Sequence, residues 1–338
     1  MTSTPTTVEL ADQDQRPDDD PNDTRSTTSD AAVTIAVALA VGCGGLWIVT
    51  HLGWVGDVVA IASPLAVMVG WAVVVACVLL RRRRLAGVVC AIVVAGAVGI
   101  ALPRIPHPTG APVDPVTISA VNLQFDSTTP DATVRSALAS TPDVLVVSEL
   151  TPRTDQLLRG AFPYRIVTDR LERDRYGQGV YSTIPVDRLE LTTALAGTGL
   201  RVRVRSSSPF VLYAVHLPRA SLVHPDGVNI TTFAGNRSAA MTLDRLADAE
   251  SEPVVIAGDL NLSDRTSGYR ALAHDRHDAL RGGWVGRTYV GSGLLWAIAS
   301  LRIDHLFIPG DWCHRGGHRF TLRGSDHRGV QARIGPCA

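Results

Sequence analysis

The chain contains no lysine: all 32 basic residues among its 338 are arginine, which reads as compositional bias. Formal net charge is zero and the sequence pI is about 7.2, so no global field favours nucleic acid or an acidic partner. None of the five cysteines forms a C-x-x-C pair, which argues against a zinc ribbon or a thioredoxin-type centre. A Gly-x-Ser-x-Gly elbow and a P-loop are also missing, which leaves no serine-hydrolase or nucleotide-cradle signature. Aromatics amount to 5% of the chain, and from Pro103 onward 26 Arg face only 23 acids. A strongly basic groove for a polynucleotide is therefore not evident.

What is abundant is apolar sequence near the start. Residues 1–30 are rich in Thr, Asp, Pro and Ser and should form a disordered acidic tail. Three apolar runs follow at Ala31–Thr50, Val58–Leu80 and Leu85–Leu102, without an acid or an Arg among them. Each is long enough to cross a hydrocarbon core of about 30 Å. The acidic start and late first run do not fit a cleaved signal peptide. Arg81–Arg84 separate the second and third runs. Positive loops stay cytoplasmic, so the N-terminus should lie inside, His51–Asp57 outside, and everything after Leu102 outside.

Residues 103–115 (PRIPHPTGAPVDP) read as a semi-rigid Pro-rich linker, and 116–338 as one catalytic domain. Strand patterns fall at Val116–Phe125, Asp143–Leu150, Tyr164–Thr168, Gly179–Ser182, Leu200–Arg205, Phe210–Leu217, Val254–Leu260, Ile303–Ile308 and Gly329–Ile334. Helical patterns fall at Asp131–Ser140, Arg153–Gly160, Asn236–Glu250 and Ser267–His274. The alternation implies an α/β or α+β domain with packed sheets. Cys43, Cys77 and Cys90 lie in the apolar runs. Cys313 and Cys337 either remain thiols or, in an oxidising compartment, bridge and staple the last strand to the domain.

Polar residues close several buried strand patterns: Asn122, Glu149, His216, Asp259 with Asn261, and Asp304 after Leu301-Arg-Ile. Strand ends are where side chains converge on a ligand without filling the core. Each alone could be turn punctuation; five together point to a site. Glu149, Asn122, Asp259, Asn261 and Asp326 offer the oxygen ligands that Mg²⁺ takes, and His216 and His327 offer protons or phosphate contacts. Attack by water assisted by a metal fits better than a covalent intermediate.

In order along the chain stand Val121-Asn122, Ser148-Glu149-Leu150, Gly179-Val-Tyr-Ser-Thr-Ile-Pro185, Ala214-Val-His216, Gly258-Asp-Leu-Asn261, Arg302-Ile-Asp-His305 and Ser325-Asp-His327. This series resembles the endonuclease/exonuclease/phosphatase (DNase I-like) superfamily. The resemblance implies a four-layer sandwich of two mixed β-sheets flanked by helices, here preceded by three transmembrane helices. It implies Mg²⁺ or Mn²⁺ held by Glu149 with Asn122 and Asp326 nearby. Asp259 and Asn261 would orient or deprotonate water, Asp304 would hold His327, and His216 would donate to phosphate or the leaving group.

Two departures weaken a DNA-nuclease reading. The Glu that nucleases pair with the His at position 216 falls near Gly177, where no acid stands, and the family's Ser-Arg-x-Pro is Ser182-Thr-Ile-Pro185. Three spans before an external domain look like membrane-anchored YafD-type and VanJ-type members, the latter associated with teicoplanin resistance. That likeness implies a lipid-linked pyrophosphate substrate, with an extracellular nuclease or a silent sensor module as alternatives. The apolar stretch 291–301, with Leu294, Leu295 and Trp296, is either a lipid-facing rim or a buried strand. A phosphorylated substrate and the membrane are the expected partners; no protein partner is expected.

Overall fold

The computed structural model describes residues 52–338 except 108, 170, 172–176, 193–194, 196, 222, 225–226, 229–230, 283–285 and 292–299, together with 37–39, 42 and 45. The acidic tail and residues Leu294, Leu295 and Trp296 lie outside the described residues. So does most of the first apolar run, whose described residues are all helical.

The second and third runs form helices α1 (Trp54–Leu79) and α2 (Arg83–Ala101), joined by a short turn containing Arg81 and Arg82. Both are long and apolar enough to cross a membrane. Only 6% and 11% of their most apolar windows are buried, so they are not core helices of the globular part. α1 begins before the apolar run and takes in Asp57, which is buried. An acid in the first turn of a helix is favoured by the helix dipole.

The remainder is two six-stranded mixed sheets packed face to face. The first has the order β13 (Trp312–Thr321), β14 (Arg328–Pro336), β1 (Val116–Asn122), β2 (Val144–Leu150), β4 (Gly177–Ser182), β3 (Tyr164–Val167). The second has the order β11 (Arg276–Asp278), β12 (Asp304–Pro309), β10 (Val254–Asp259), β7 (Phe210–His216), β6 (Gly199–Val204), β5 (Val186–Leu189). A small ribbon pairs β8 (Val223–His224) with β9 (Gly227–Val228). Each large sheet has one parallel pair at its centre, β1 with β2 and β7 with β10; the other pairings are antiparallel.

The central strands are apolar on both faces because both faces are covered. Ile118, Ala120, Val144 and Val146 meet Leu212, Ala214, Val255, Ala257 and Leu306 between the sheets. Val121, Leu145 and Val147 pack outward under α3 (Pro130–Leu138) and α4 (Pro152–Leu158). Val211, Tyr213 and Ile256 pack under α5 (Thr231–Asp248) and α6 (Ser267–Leu272). Each fully buried Leu or Ile of this kind is worth about 1.5–3 kcal/mol. The result is the expected four-layer sandwich. β5, β11 and β13 are strands that the sequence patterns do not mark.

Residues 103–115 are not a free spacer. Arg104 pairs with buried Asp264 at 3.1 Å, His107 N–H donates to the Arg281 carbonyl, and Val113 N–H donates to the Pro336 carbonyl. Beside this stitched segment Cys313 and Cys337 form a disulfide. By the loop-entropy model a bridge across such a loop is worth about 3 kcal/mol. Thiol titration of the unfolded, unreduced chain should find three reactive thiols; five would contradict the bridge.

Candidate active site

Strand alternation explains how the site assembles. On β1 the positions facing the other sheet are 116, 118 and 120, and the next in phase is Asn122. On β7 they are 210, 212 and 214, then His216; on β10 they are 255 and 257, then Asp259. Asp304 opens β12 directly opposite Asp259, and His216 is the other register partner of Asp259. These polar groups thus continue the inner faces past the end of the apolar core. Glu149 is out of phase with Val144 and Val146. A β-bulge between Val147 and Leu150 and a left-handed φ of 55° turn it back toward the rim. Non-glycine residues held there are often functional; Asn261, φ 51°, is a second example.

Asn122 is a bracket between two acids. Its Nδ2 donates to Glu149 Oε1 at 3.0 Å and to Asp259 Oδ2 at 2.9 Å, while its Oδ1 accepts the Gln124 N–H. The Phe125 N–H donates to Glu149 Oε2 at 3.0 Å, and the Asn261 N–H to Asp259 Oδ1 at 3.0 Å. Asn261 Nδ2 donates to the Leu217 carbonyl. His216 Nε2 lies 3.6 Å from Asp259 Oδ2 and 4.0 Å from Glu149 Oε1. His327 Nδ1 meets both Asp304 oxygens, at 3.0 and 3.2 Å, and its Nε2 lies 3.7 Å from Asp259 Oδ2. Ser325 explains the loop: its hydroxyl donates to the Asn122 carbonyl and accepts the His327 N–H.

Glu149, His216, Asp259, Asn261 and His327 line one cleft of about 390 Å³, which Asp326 also borders, and Asn122 and Asp304 are hydrogen-bonded to these lining groups. The structure therefore gathers all eight expected site residues at one rim. Several neighbours were not marked by the sequence. Arg219 stacks over Tyr289, whose ring meets His327 edge-on at 5.3 Å. Gln178 is buried on the cleft wall, where its Oε1 has no hydrogen-bond partner among the described residues. A side chain at Gly177 would meet Thr168 Oγ1 at 2.1 Å, so no acid fits there on this backbone. Arg302 and His305 sit in the core beside Asp278, at 2.5 and 3.6 Å. Burial pushes the Asp278 carboxyl up, but Arg302 and His305 hold it far below the usual carboxylate range.

Electrostatics show what the rim lacks. Burial would push the His327 imidazole down, but Asp304 and Asp259 outweigh this and raise it above the ordinary histidine value, favouring the protonated ring. Burial pushes the Asp326 carboxyl up; His327 opposes this, and Glu149 and Asp259 add to it. Donor atoms of Asp259, Asp304 and His327 lie within 4.8 Å of one another, a spacing a cation could share. Asp304, however, is committed to the imidazole through both oxygens. The acids that border the cleft are Glu149, Asp259 and Asp326. An all-oxygen, thiolate-free set of this kind suits a hard divalent cation.

A sandwich of this form with such a rim is that of a metal-dependent phosphoester hydrolase. The sequence model of the Endonuclease/Exonuclease/phosphatase family matches residues 120–327, and the chain belongs to that family. Among solved structures, humanized D. rerio TDP2 with 14 mutations has a TM-score of 0.51 and 19% identity, covering 66% of this chain and 99% of that one. The 3'-5' exonuclease NExo from Neisseria meningitidis has a TM-score of 0.50 and 16% identity, covering 65% and 99%. These likenesses show the fold. No curated protein matches the chain.

Gly258 of the Gly-Asp-Leu-Asn motif has φ 138°, and a Cβ there would meet the Val215 carbonyl oxygen at 2.0 Å. Its role is close approach of β10 to β7, which holds Asp259 beside His216. Gly258→Ala should cost about 1–3 kcal/mol, as overpacking does. An unchanged Tm would contradict this role.

Proposed function

We propose that the chain is a membrane-anchored phosphoesterase that uses Mg²⁺ or Mn²⁺ and acts outside the cytoplasm, with a lipid-linked pyrophosphate as its substrate class. The observation that carries this reading is the convergence of Glu149, Asp259, Asp326, His216 and the Asp304–His327 pair on one cleft. Glu149 and Asp326 would hold the cation, with Asn122 aligning Glu149 against Asp259. When bound, the ion supplies positive charge to phosphate oxygens and to the charge they gain during displacement.

The protein's own groups divide the remaining work. Asp259 is fixed through both oxygens, by Asn122 Nδ2 and the Asn261 N–H, and orients the attacking water or takes its proton. His327 stays protonated and presents Nε2–H to a phosphate oxygen, while Asp304 holds the ring through Nδ1. His216, reaching the same Asp259 oxygen from the opposite side, donates to phosphate or to the leaving group.

The location has separate support. Arg81–Arg84 occupy the end of the α1–α2 hairpin opposite the residues that touch the domain, which suits a cytoplasmic turn and an external domain. The described residues of the first run are helical, as a third span requires. The Cys313–Cys337 bridge suits an oxidising compartment.

A nuclease is the second reading. One structural neighbour is a 3'-5' exonuclease, and Tyr289 under Arg219 offers a face on which a base could stack. Against it, Gln178 rather than an acid borders the cleft with His216.

Glu149→Ala, Asp259→Ala and His327→Ala should each lower turnover by about 10²–10⁴-fold, the scale of losing a positioned electrostatic or proton-transfer group. Chelation should abolish activity and Mg²⁺ or Mn²⁺ restore it. The assay is phosphate release from polyprenyl pyrophosphate beside plasmid cleavage, with sphingomyelin and inositol phosphates as further substrates. Full activity in these variants would refute the assignment. Plasmid cleavage without lipid turnover would select the nuclease.

A further inference from the structure

The catalytic domain does not hang from its anchor; it is latched to it, and the anchor reaches the cleft. Asp57, in the first turn of α1, accepts hydrogen bonds from the Ser267 N–H at 2.5 Å and the Ser267 hydroxyl at 2.8 Å. Ser267 opens α6, and the preceding Thr266 makes no side-chain cap, so Asp57 caps α6 from another helix. Buried Arg265 donates through Nε to the Ala60 carbonyl at 3.0 Å. At the far end of α2, Arg104 donates to the Ser300 carbonyl and pairs with Asp264, and Arg281 donates to the Ile105 carbonyl. Both membrane-distal ends of the hairpin are therefore tied down.

One turn below Asp57, Ile61 lines the same cleft as Glu149, Asp259 and His327. The length of α1 locates this wall. Its 26 residues span about 39 Å at about 1.5 Å each, exceeding a hydrocarbon core of about 30 Å by about six residues. With Arg81–Arg84 at the opposite face, this excess would place Asp57 at the surface, where it meets the domain, and Ile61 at the edge of the hydrocarbon. Apolar Leu217, Leu301 and Ile303 border the cleft as well. A cleft with acids at one side and a membrane helix at another suits a molecule that is itself polar at one end and apolar at the other.

We infer that α1 forms a wall of the active site and that Ile61 is a specificity-determining residue, receiving the first apolar segment of an amphiphilic phosphoester whose chain stays in the bilayer. This deepens the phosphoesterase reading above and rests on it. The latch keeps the cleft at the surface, so the substrate need not leave the membrane. Asp57 on α1 and Arg265 and Ser267 on the domain act as positioning residues; they join Ile61's helix to the domain and do not touch the substrate.

The test uses the full chain in phospholipid vesicles with Mg²⁺ or Mn²⁺. Two probes share one headgroup: a long-chain prenyl diphosphate and a short, water-soluble one. Ile61→Ser should lower kcat/KM for the long-chain probe at least tenfold more than for the short one, mainly through KM, and Ile61→Leu should restore the long-chain value. Val75→Ser, on an exposed part of the same helix far from the domain, controls for general loss of apolar surface and should leave the chain-length ratio unchanged. Equal losses on both probes, no loss on the long one, or the same shift in Val75→Ser would overturn the inference while leaving the phosphoesterase reading intact. A wild-type chain that turns over neither probe would remove that reading, and this inference with it.

Discussion

Three carboxylates cannot share a half-buried rim without compensation, and much of the site answers that constraint. Glu149 and Asp259 are brought together because two sheets end their central parallel pairs at the same edge, and Asp326 joins them from the β13–β14 connection. Like charges in such a place raise each other's proton affinity and weaken the fold. The molecule responds with donors: two hydrogens from Asn122, backbone N–H groups of Phe125 and Asn261, and the His327 ring, which Asp304 holds and whose proton affinity the neighbouring acids raise. These fix the acids in position and offset part of their repulsion. A divalent cation held here would offset the rest, and its charge would suit a phosphate, which brings further negative charge to the spot.

A second charged cluster does a different job. Asp264 gathers Arg104, Arg302 and Arg265, and Asp278 gathers Arg302, Tyr269 and His305. Removing one member of a buried ion pair strands the others, at a cost of about 3–5 kcal/mol. The cluster joins the chain after α2 to β11, β12 and the loop that carries Arg265, so the helix hairpin and the catalytic sheets share one rigid boundary. That rigidity is what allows a helix suited to lipid to contribute Ile61 to a catalytic wall.

Much of this was legible in the chain itself, for a physical reason. β1, β2, β7 and β10 are buried on both faces, so their apolar runs stand out and the first polar residue after each run marks the rim. Where the alternation phase is simple, at Asn122, His216 and Asp259, the side chain points where period two sends it. Glu149 is marked by its apolar run and its motif, but its direction breaks that phase and is not legible, because a bulge is a backbone event. β13 was missed since Gly316, Gly317 and its exposed Arg and His residues resemble a turn. Gln178 was missed by one position, because Gly177 is needed for packing against Thr168. Nothing local relates Asp57 to Ser267, which lies 210 residues away. Pro-rich composition, which usually marks a spacer, concealed a segment stitched to the domain.

A rim built for a divalent cation would hold it chiefly through Glu149 and Asp326. Calorimetric titration of Mn²⁺ into the full chain in detergent tests this without reference to any substrate. Wild-type protein should bind the ion, and Glu149→Gln and Asp326→Asn should each weaken binding about tenfold or more, the scale on which losing a ligand's charge acts. Binding of equal strength in all three proteins, or none at millimolar Mn²⁺, would contradict it.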